Sequence, residues 1–227
     1  MFPYSTRTAR FSDRVEAGRV LAKRLKAYAG RSDVVVLALP RGGVPVAAEV
    51  AAELGAPLDV FVVRKLGVPY QPELAMGAIA SGGVRVLNDD VIAAARITSP
   101  MLESATRIEQ RELERRELAY RNGRSAVPVK DKVAILIDDG LATGSTMRAA
   151  VEAVRRLQPS RVVVAVPLGA PETCQGLAQI ADEVICVEMP VPFSAVGLWY
   201  EDFSQTSDDE VRALLEAAAR TPTGGRP

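Results

Sequence analysis

The sequence predicts an α/β fold: a parallel sheet flanked by helices, with a small hood and a long inserted loop and helical segment. Three observations carry this reading. Apolar runs rich in β-branched residues recur at 34–39, 58–63, 132–138, 161–167 and 183–187, as strands buried on both faces require. Helix-like segments separate most of these runs, so the strands arrive as βαβ units and pair in parallel. No linker, repeat or low-complexity stretch divides the 227 residues, and 48% hydrophobic content supplies the core of one domain, 1–227.

The elements follow in order. Residues 12–29 read as a helix with Asp13 and Glu16 at its start, a capping pattern. A strand at 34–39 leads through a Gly-Gly turn into an Ala-rich helix at 43–54, and the next strand runs 58–63. Between 66 and 83 the breakers Gly67, Pro69, Pro72, Gly77, Gly82 and Gly83 exclude a helix. That stretch reads as a loop holding a short hairpin, with arms at 74–80 and 84–87. Residues 88–124 give helix, turn, helix, so the insertion spans about 66–124. The stretch 99–120 has alternating charges, with pairs such as Glu112 and Arg116 at i,i+4, which describes a solvated face. The sheet resumes at 132–138, followed by a helix at 147–157, a strand at 161–167, a helix at 171–179 and a strand at 183–187. Residues 189–204 are irregular and aromatic, the proposed hood. A last helix occupies 208–219, and 221–227 reads as a frayed tail.

Composition excludes several kinds of chemistry. Lys plus Arg and Asp plus Glu balance at 28 each, so no overall field favours nucleic acid. No apolar run is long enough for a membrane span or a secretory leader, so a cytoplasmic location is expected. Cys174 and Cys186 lack metal-ligand spacing and read as reduced thiols. The chain has no histidine, which rules out Ser-His-Asp and Cys-His arrangements and His-ligated zinc. Acid–base work falls to carboxylates, Lys, Tyr or substrate atoms.

The chemistry concentrates at 133–146, Val-Ala-Ile-Leu-Ile-Asp-Asp-Gly-Leu-Ala-Thr-Gly-Ser-Thr. An apolar strand ends on Asp138 and Asp139, small residues follow, and a helix begins. Ligands of open α/β sheets bind beyond the carboxyl ends of the strands. The small residues Ala142, Thr143, Gly144, Ser145 and Thr146 let backbone N–H groups close on a phosphate at a helix N-terminus. Paired carboxylates suit vicinal hydroxyls or a hard metal ion. Together these describe a sugar phosphate. No Lys follows Gly144, so this is not a Walker A loop, and no Gly-x-Gly-x-x-Gly fingerprint occurs. A second turn, Leu39-Pro40-Arg41-Gly42-Gly43-Val44-Pro45, also joins strand to helix, with Arg41 offering a donor fork for phosphate oxygens. Arg64 and Lys65 close the strand after it.

The 133–146 stretch resembles the 5-phosphoribosyl 1-pyrophosphate (PRPP) signature of type I phosphoribosyltransferases. The resemblance runs from about 13 to 203 and includes the Pro-Arg-Gly-Gly and Val-Gly-Leu-Trp-Tyr-Glu-Asp-Phe segments. It implies Mg²⁺-dependent transfer of the 5-phosphoribosyl group from PRPP to a nitrogen acceptor, such as a nucleobase, with release of pyrophosphate, and so a place in nucleotide metabolism. Asp138 and Asp139 would hold the ribose hydroxyls directly or through metal, and Ala142 to Thr146 would hold the 5′-phosphate. Arg41, Gly42, Gly43 and Lys65 would take the pyrophosphate, in a loop where family members often show unusual peptide geometry. Lys65 is chosen over Arg64, which could equally face a helix. The resemblance also implies a mobile loop at 66–83 that closes over the site, a hood whose Phe193, Val196, Trp199 and Tyr200 contact the acceptor, Glu201 on a second metal, and a homodimer. No Lys in the hood is placed to read an exocyclic oxygen, so the base stays open. A PRPP- or nucleotide-binding regulator on the same fold, and a phosphosugar or nucleotide hydrolase, remain as alternative readings.

Overall fold

The structure is a computed structural model that describes residues 11–220; the tail expected at 221–227 lies outside the described residues. Five parallel strands form the main sheet: β1 (Val34–Ala38), β2 (Leu58–Val60), β6 (Val133–Ile137), β7 (Arg161–Leu168) and β8 (Glu183–Glu188), in the order β2-β1-β6-β7-β8. β6 is the central strand, and β1 pairs with it in register from Val34↔Val133 to Ala38↔Ile137.

Alternate residues of the strands enter two different cores. Val34, Val36, Ile135 and Ile137 face α1 (Arg14–Arg24), α2 (Gly43–Leu54) and α7 (Asp208–Arg220). Val35, Leu37, Ala134 and Leu136 face α5 (Ser145–Arg156) and α6 (Pro171–Leu177). With both faces covered, every residue of β1 and β6 is buried, which is why the runs read as continuous rather than alternating. Each such Val, Leu or Ile contributes about 1.5–3 kcal/mol of hydrophobic stabilisation.

α1 starts on the expected cap. Asp13 Oδ1 accepts the Glu16 N–H at 2.8 Å, and Glu16 reaches back to the Ser12 N–H at 2.6 Å. α2 spans the expected residues and ends on Gly55 in the left-handed conformation.

The segment at 66–83 differs from the expected loop. It belongs to a second, antiparallel sheet of β3 (Val63–Val68), β4 (Gln71–Ala80) and β5 (Val84–Leu87). The second hairpin arm is the expected one, the first begins earlier than expected, at Gln71, and β3 is the addition. Its glycines mark close backbone approach rather than breaks. A Cβ at Gly67 would lie 2.8 Å from the Pro72 carbonyl, and one at Gly77 would lie 2.4 Å from the Val86 carbonyl. Register shifts at Gly67 place a bulge there. β2 therefore ends at Val60, and Arg64 and Lys65 lie inside β3, not at the end of a parallel strand.

α3 (Asp89–Ala94) and α4 (Ser99–Arg121) complete the insertion. α4 carries exposed ion pairs such as Glu112 with Arg115 and Arg116, but buries Leu113 and Tyr120. Its end is pinned by Arg121, whose Nε donates to the buried Asp59 at 2.9 Å; Asp59 also accepts the Val127 N–H. No helix among the described residues is long and apolar enough to cross a membrane.

Candidate active site

The carboxyl ends of β1 and β6 meet at the two acids. The Leu39 N–H donates to the Ile137 carbonyl at 2.8 Å, which holds the turn after β1 against the turn after β6. Gly42 and Gly43 fill the remaining space. A Cβ on Gly42 would stand 2.1 Å from Asp139 Oδ2, and one on Gly43 would stand 2.7 Å from the Ile137 carbonyl and 2.9 Å from Asp138 Cα. Only glycine lets these loops touch in this way. The Pro40–Arg41 peptide beside them is cis.

Asp138 and Asp139 are adjacent carboxylates in a partly closed site. Asp138 Oδ1 accepts the Asp139 N–H at 2.9 Å. Asp139 Oδ2 accepts from Arg14 Nε at 2.9 Å, with the two side chains only 14% and 11% exposed. Burial, followed by the charge of Asp139, pushes Asp138 well above the ordinary carboxylate range. Burial raises Asp139 too, but Arg14 opposes it there. The Tyr200 hydroxyl donates to the Asp139 carbonyl at 2.6 Å, and burial lifts its own pKa.

The loop after the acids is fixed from behind and open in front. The Leu141 N–H donates to Leu168, the Ala170 N–H donates to Leu141, and Thr173 Oγ1 donates to the Ala142 carbonyl at 2.6 Å. Gly144 caps α5 at φ 67°, with no side chain bonded to the cap. Ala142, Thr143, Ser145 and Thr146 are exposed. A helix N-terminus whose first N–H groups lack a side-chain cap is a receptor for an anion.

A family model described as the phosphoribosyl transferase domain matches residues 12–201. The chain belongs to the phosphoribosyl transferase domain family. Two proteins of Mycobacterium tuberculosis, from strains H37Rv and CDC 1551, each bear the name "Putative phosphoribosyl transferase" and are 51% identical over 210 residues, which is 92% of this chain and 47% of theirs. The chain thus spans about half the length of the curated relatives it matches. Among solved structures, TT1426 from Thermus thermophilus is 43% identical and superposes with a TM-score of 0.81, over 91% of this chain and 97% of that one.

The other residues expected at a phosphoribosyltransferase site fall as follows. Arg41 is half-exposed beside the glycines, its Nη1 3.7 Å from Asp208 Oδ1 at the start of α7. Arg64 does face a helix: its Nε donates to Glu109 of α4 at 2.6 Å. Lys65 points to the opposite side of β3. It lines a cavity of about 340 Å³ with Glu73, Thr143, Ser145, Arg148 and Glu152. It therefore approaches the 142–146 loop, and the Pro40–Gly43 turn is not part of that cavity's wall.

In the hood, Val196 packs on Gly140, where a Cβ would lie 2.7 Å from its Cγ1. Phe193 and Trp199 are half-buried beside it. Tyr200 is buried against Phe11 and Phe203, with ring centroids at 5.7 Å and 5.1 Å, so its faces are already covered by protein. Glu201 turns to solvent. The segment lies alongside Phe11 in extended pairing, and successive residues point to opposite sides, Tyr200 in and Glu201 out. Among the described residues no three Asp, Glu, His or Cys side chains come together as a metal group, so Glu201 does not join the acid pair.

Sequence reasoning missed Arg14 and the role of Phe203. One local signal was present. Arg14 is the first residue of α1, where the helix dipole disfavours a cation, so its charge answers to something outside the helix.

Proposed function

We propose that the protein transfers the 5-phosphoribosyl group of PRPP to a nitrogen of a small-molecule acceptor and releases pyrophosphate. One observation carries this reading: a glycine turn packed directly on two carboxylates, next to an open helix N-terminus, all at the carboxyl edge of one parallel sheet. In the reaction the bond from the ribose anomeric carbon to pyrophosphate breaks, and the leaving group keeps the electron pair. A bond from the acceptor nitrogen to that carbon forms, and the nitrogen's proton passes to solvent or to pyrophosphate. Charge builds on the leaving group and on an oxocarbenium-like sugar, so the chain's task is placement and electrostatic stabilisation rather than nucleophilic attack.

Ala142 to Thr146 hold the 5′-phosphate on the N-terminus of α5. Asp138 and Asp139 face the ribose hydroxyls. Arg41, freed from Asp208, takes the pyrophosphate together with the Gly42–Gly43 backbone, and Lys65 adds positive charge from β3. The donor set fits Mg²⁺, which is held by one or two carboxylates plus substrate oxygens and water rather than by an all-protein cage. Asp138, with Asp139, would hold it; when bound it neutralises pyrophosphate charge and orients the leaving group. Phe193, Val196 and Trp199 line the acceptor side. A homodimer accompanies this reading, and sedimentation tests it.

The test is a panel of nucleobases and amines incubated with PRPP and Mg²⁺ and assayed for pyrophosphate. Acceptor-dependent release supports the transferase. Release from PRPP with no acceptor would replace it with a hydrolase, and binding without release would replace it with a regulator.

A further inference from the structure

Arg14 ties the start of α1 to two parts of the molecule that are far from it in sequence. Its Nε donates to Asp139 Oδ2, and its Nη1 donates to the Ser204 carbonyl at 2.8 Å. Its guanidinium also lies over the Phe203 ring, 4.0 Å from the centroid. The Phe203 ring in turn rests on the hood backbone: a Cβ on Gly197 would lie 2.7 Å from Phe203 Cδ1. The turn at Val196–Trp199 is therefore fixed at two points, through Val196 on Gly140 and through Phe203 under Arg14. Both lead back to the acid pair.

A planar guanidinium suits this position because it can donate in its plane and stack on its face at once. A cation in the first turn of a helix opposes the dipole, and one that is 11% exposed also loses hydration. Its partners, Asp139, the Ser204 carbonyl and the Phe203 ring, offset those costs. All three belong to the acids and the hood rather than to α1.

Resting on the phosphoribosyl-transfer reading, we propose that Arg14 is a positioning residue that fastens the hood to Asp139 and thereby sets the grip on the acceptor base. The 5′-phosphate is held elsewhere, by the 142–146 loop pinned through Thr173 and Leu168. Loss of Arg14 then weakens ligands that carry a base more than ligands that carry only the sugar phosphate.

The test compares two probes by calorimetry with Mg²⁺: ribose 5-phosphate, and the nucleoside 5′-monophosphates of adenine, guanine, cytosine and uracil. In Arg14→Ala, affinity for the best-bound monophosphate falls about tenfold further than affinity for ribose 5-phosphate, as loss of a partly buried paired charge allows. Arg14→Lys keeps the charge near Asp139 but loses the planar stack, and restores part of the difference. Phe203→Leu leaves the ion pair and removes the stack, and gives the same selective loss if Arg14→Ala is poorly folded. Equal loss for both probes, or no loss, overturns the role of Arg14. So does an unmutated protein that binds no monophosphate better than ribose 5-phosphate, since there is then no base grip to set. Failure of the unmutated protein to bind either ribose 5-phosphate or PRPP overturns the transferase reading instead.

Discussion

Gly42→Ala separates the fold from the chemistry more cleanly than removal of either acid. Gly42 sits at φ −59°, ψ −34°, a conformation alanine adopts without strain, so the backbone itself gains about 0.4–1 kcal/mol from a less flexible unfolded chain. The added methyl meets the Asp139 carboxylate first, at 2.1 Å from Oδ2 and 2.8 Å from Cγ. Ordinary contact begins near 3.4 Å, so the carboxylate must move by about 1.3 Å, the difference between 3.4 and 2.1. Its 2.9 Å bond to Arg14 is disturbed with it. Overpacking of this kind costs about 1–3 kcal/mol, and the backbone gain offsets part of it. A net loss of about 1–2 kcal/mol lowers Tm by about 2–8 °C in a chain of this size. Binding suffers as well, because the carboxylate is displaced from the place where it would meet the ligand. Differential scanning calorimetry and titration with PRPP and Mg²⁺ read the two effects separately. Gly43→Ala is the contrast. Its Cβ meets the Ile137 carbonyl at 2.7 Å and Asp138 Cα at 2.9 Å, which are backbone and cannot swing aside, so stability falls further. Unchanged PRPP affinity in a folded Gly42→Ala protein would refute the placement of Asp139 in the site.

Asp138→Asn should stabilise the protein at pH 7 while removing Mg²⁺-dependent PRPP binding. Burial raises this carboxyl in the folded state, so the penalty for ionising it grows as pH climbs from the unfolded value of 3.8 through the raised folded value. The variant's Tm advantage, measured from pH 4 to pH 8, widens with pH, and an advantage that shrinks as pH rises would reverse the sign of this argument. Asp138→Asn combined with Asp139→Asn should abolish Mg²⁺-dependent PRPP binding in a protein that still melts cooperatively; retained affinity would take both acids out of the site. Gly144→Val forces a β-branched residue to φ 67° and drives its Cβ to 2.4 Å from Thr173 Cγ2, so ribose 5-phosphate binding weakens and calorimetry detects it. Trp199, the single tryptophan, changes fluorescence when a nucleoside monophosphate and pyrophosphate fill the site; a flat signal with binding proven by calorimetry would place it in hood packing alone.

The parallel sheet was legible because burial on both faces leaves one kind of sequence, an unbroken apolar run, and helix α2 was legible because its Ala-rich composition favours a helix on its own. The paired acids at the end of β6 and the small-residue loop before α5 were legible for the same reason: they lie in consecutive residues. β3 was not, since Gly67 reads as a breaker until the Pro72 carbonyl that needs its missing side chain is in place. That single strand also moved Arg64 and Lys65 from a parallel strand end to opposite faces of a ribbon, Arg64 on Glu109 and Lys65 toward Thr143 and Ser145. Arg14 lies 125 residues from the carboxylate it pairs with, and no periodicity spans that distance. The hood shows the limit most sharply. Its residues have no helix or sheet period, so nothing local says which aromatic ring turns inward. The bridge from Phe11 to Tyr200 supplies that phase from the other end of the chain. It buries Tyr200 on the carbonyl of Asp139, sends Glu201 to solvent, and leaves Phe203, 37% exposed, beneath the cation that holds the second acid. The hood and the acid pair are therefore one piece of structure, and a ligand that moves one meets resistance from the other through Arg14.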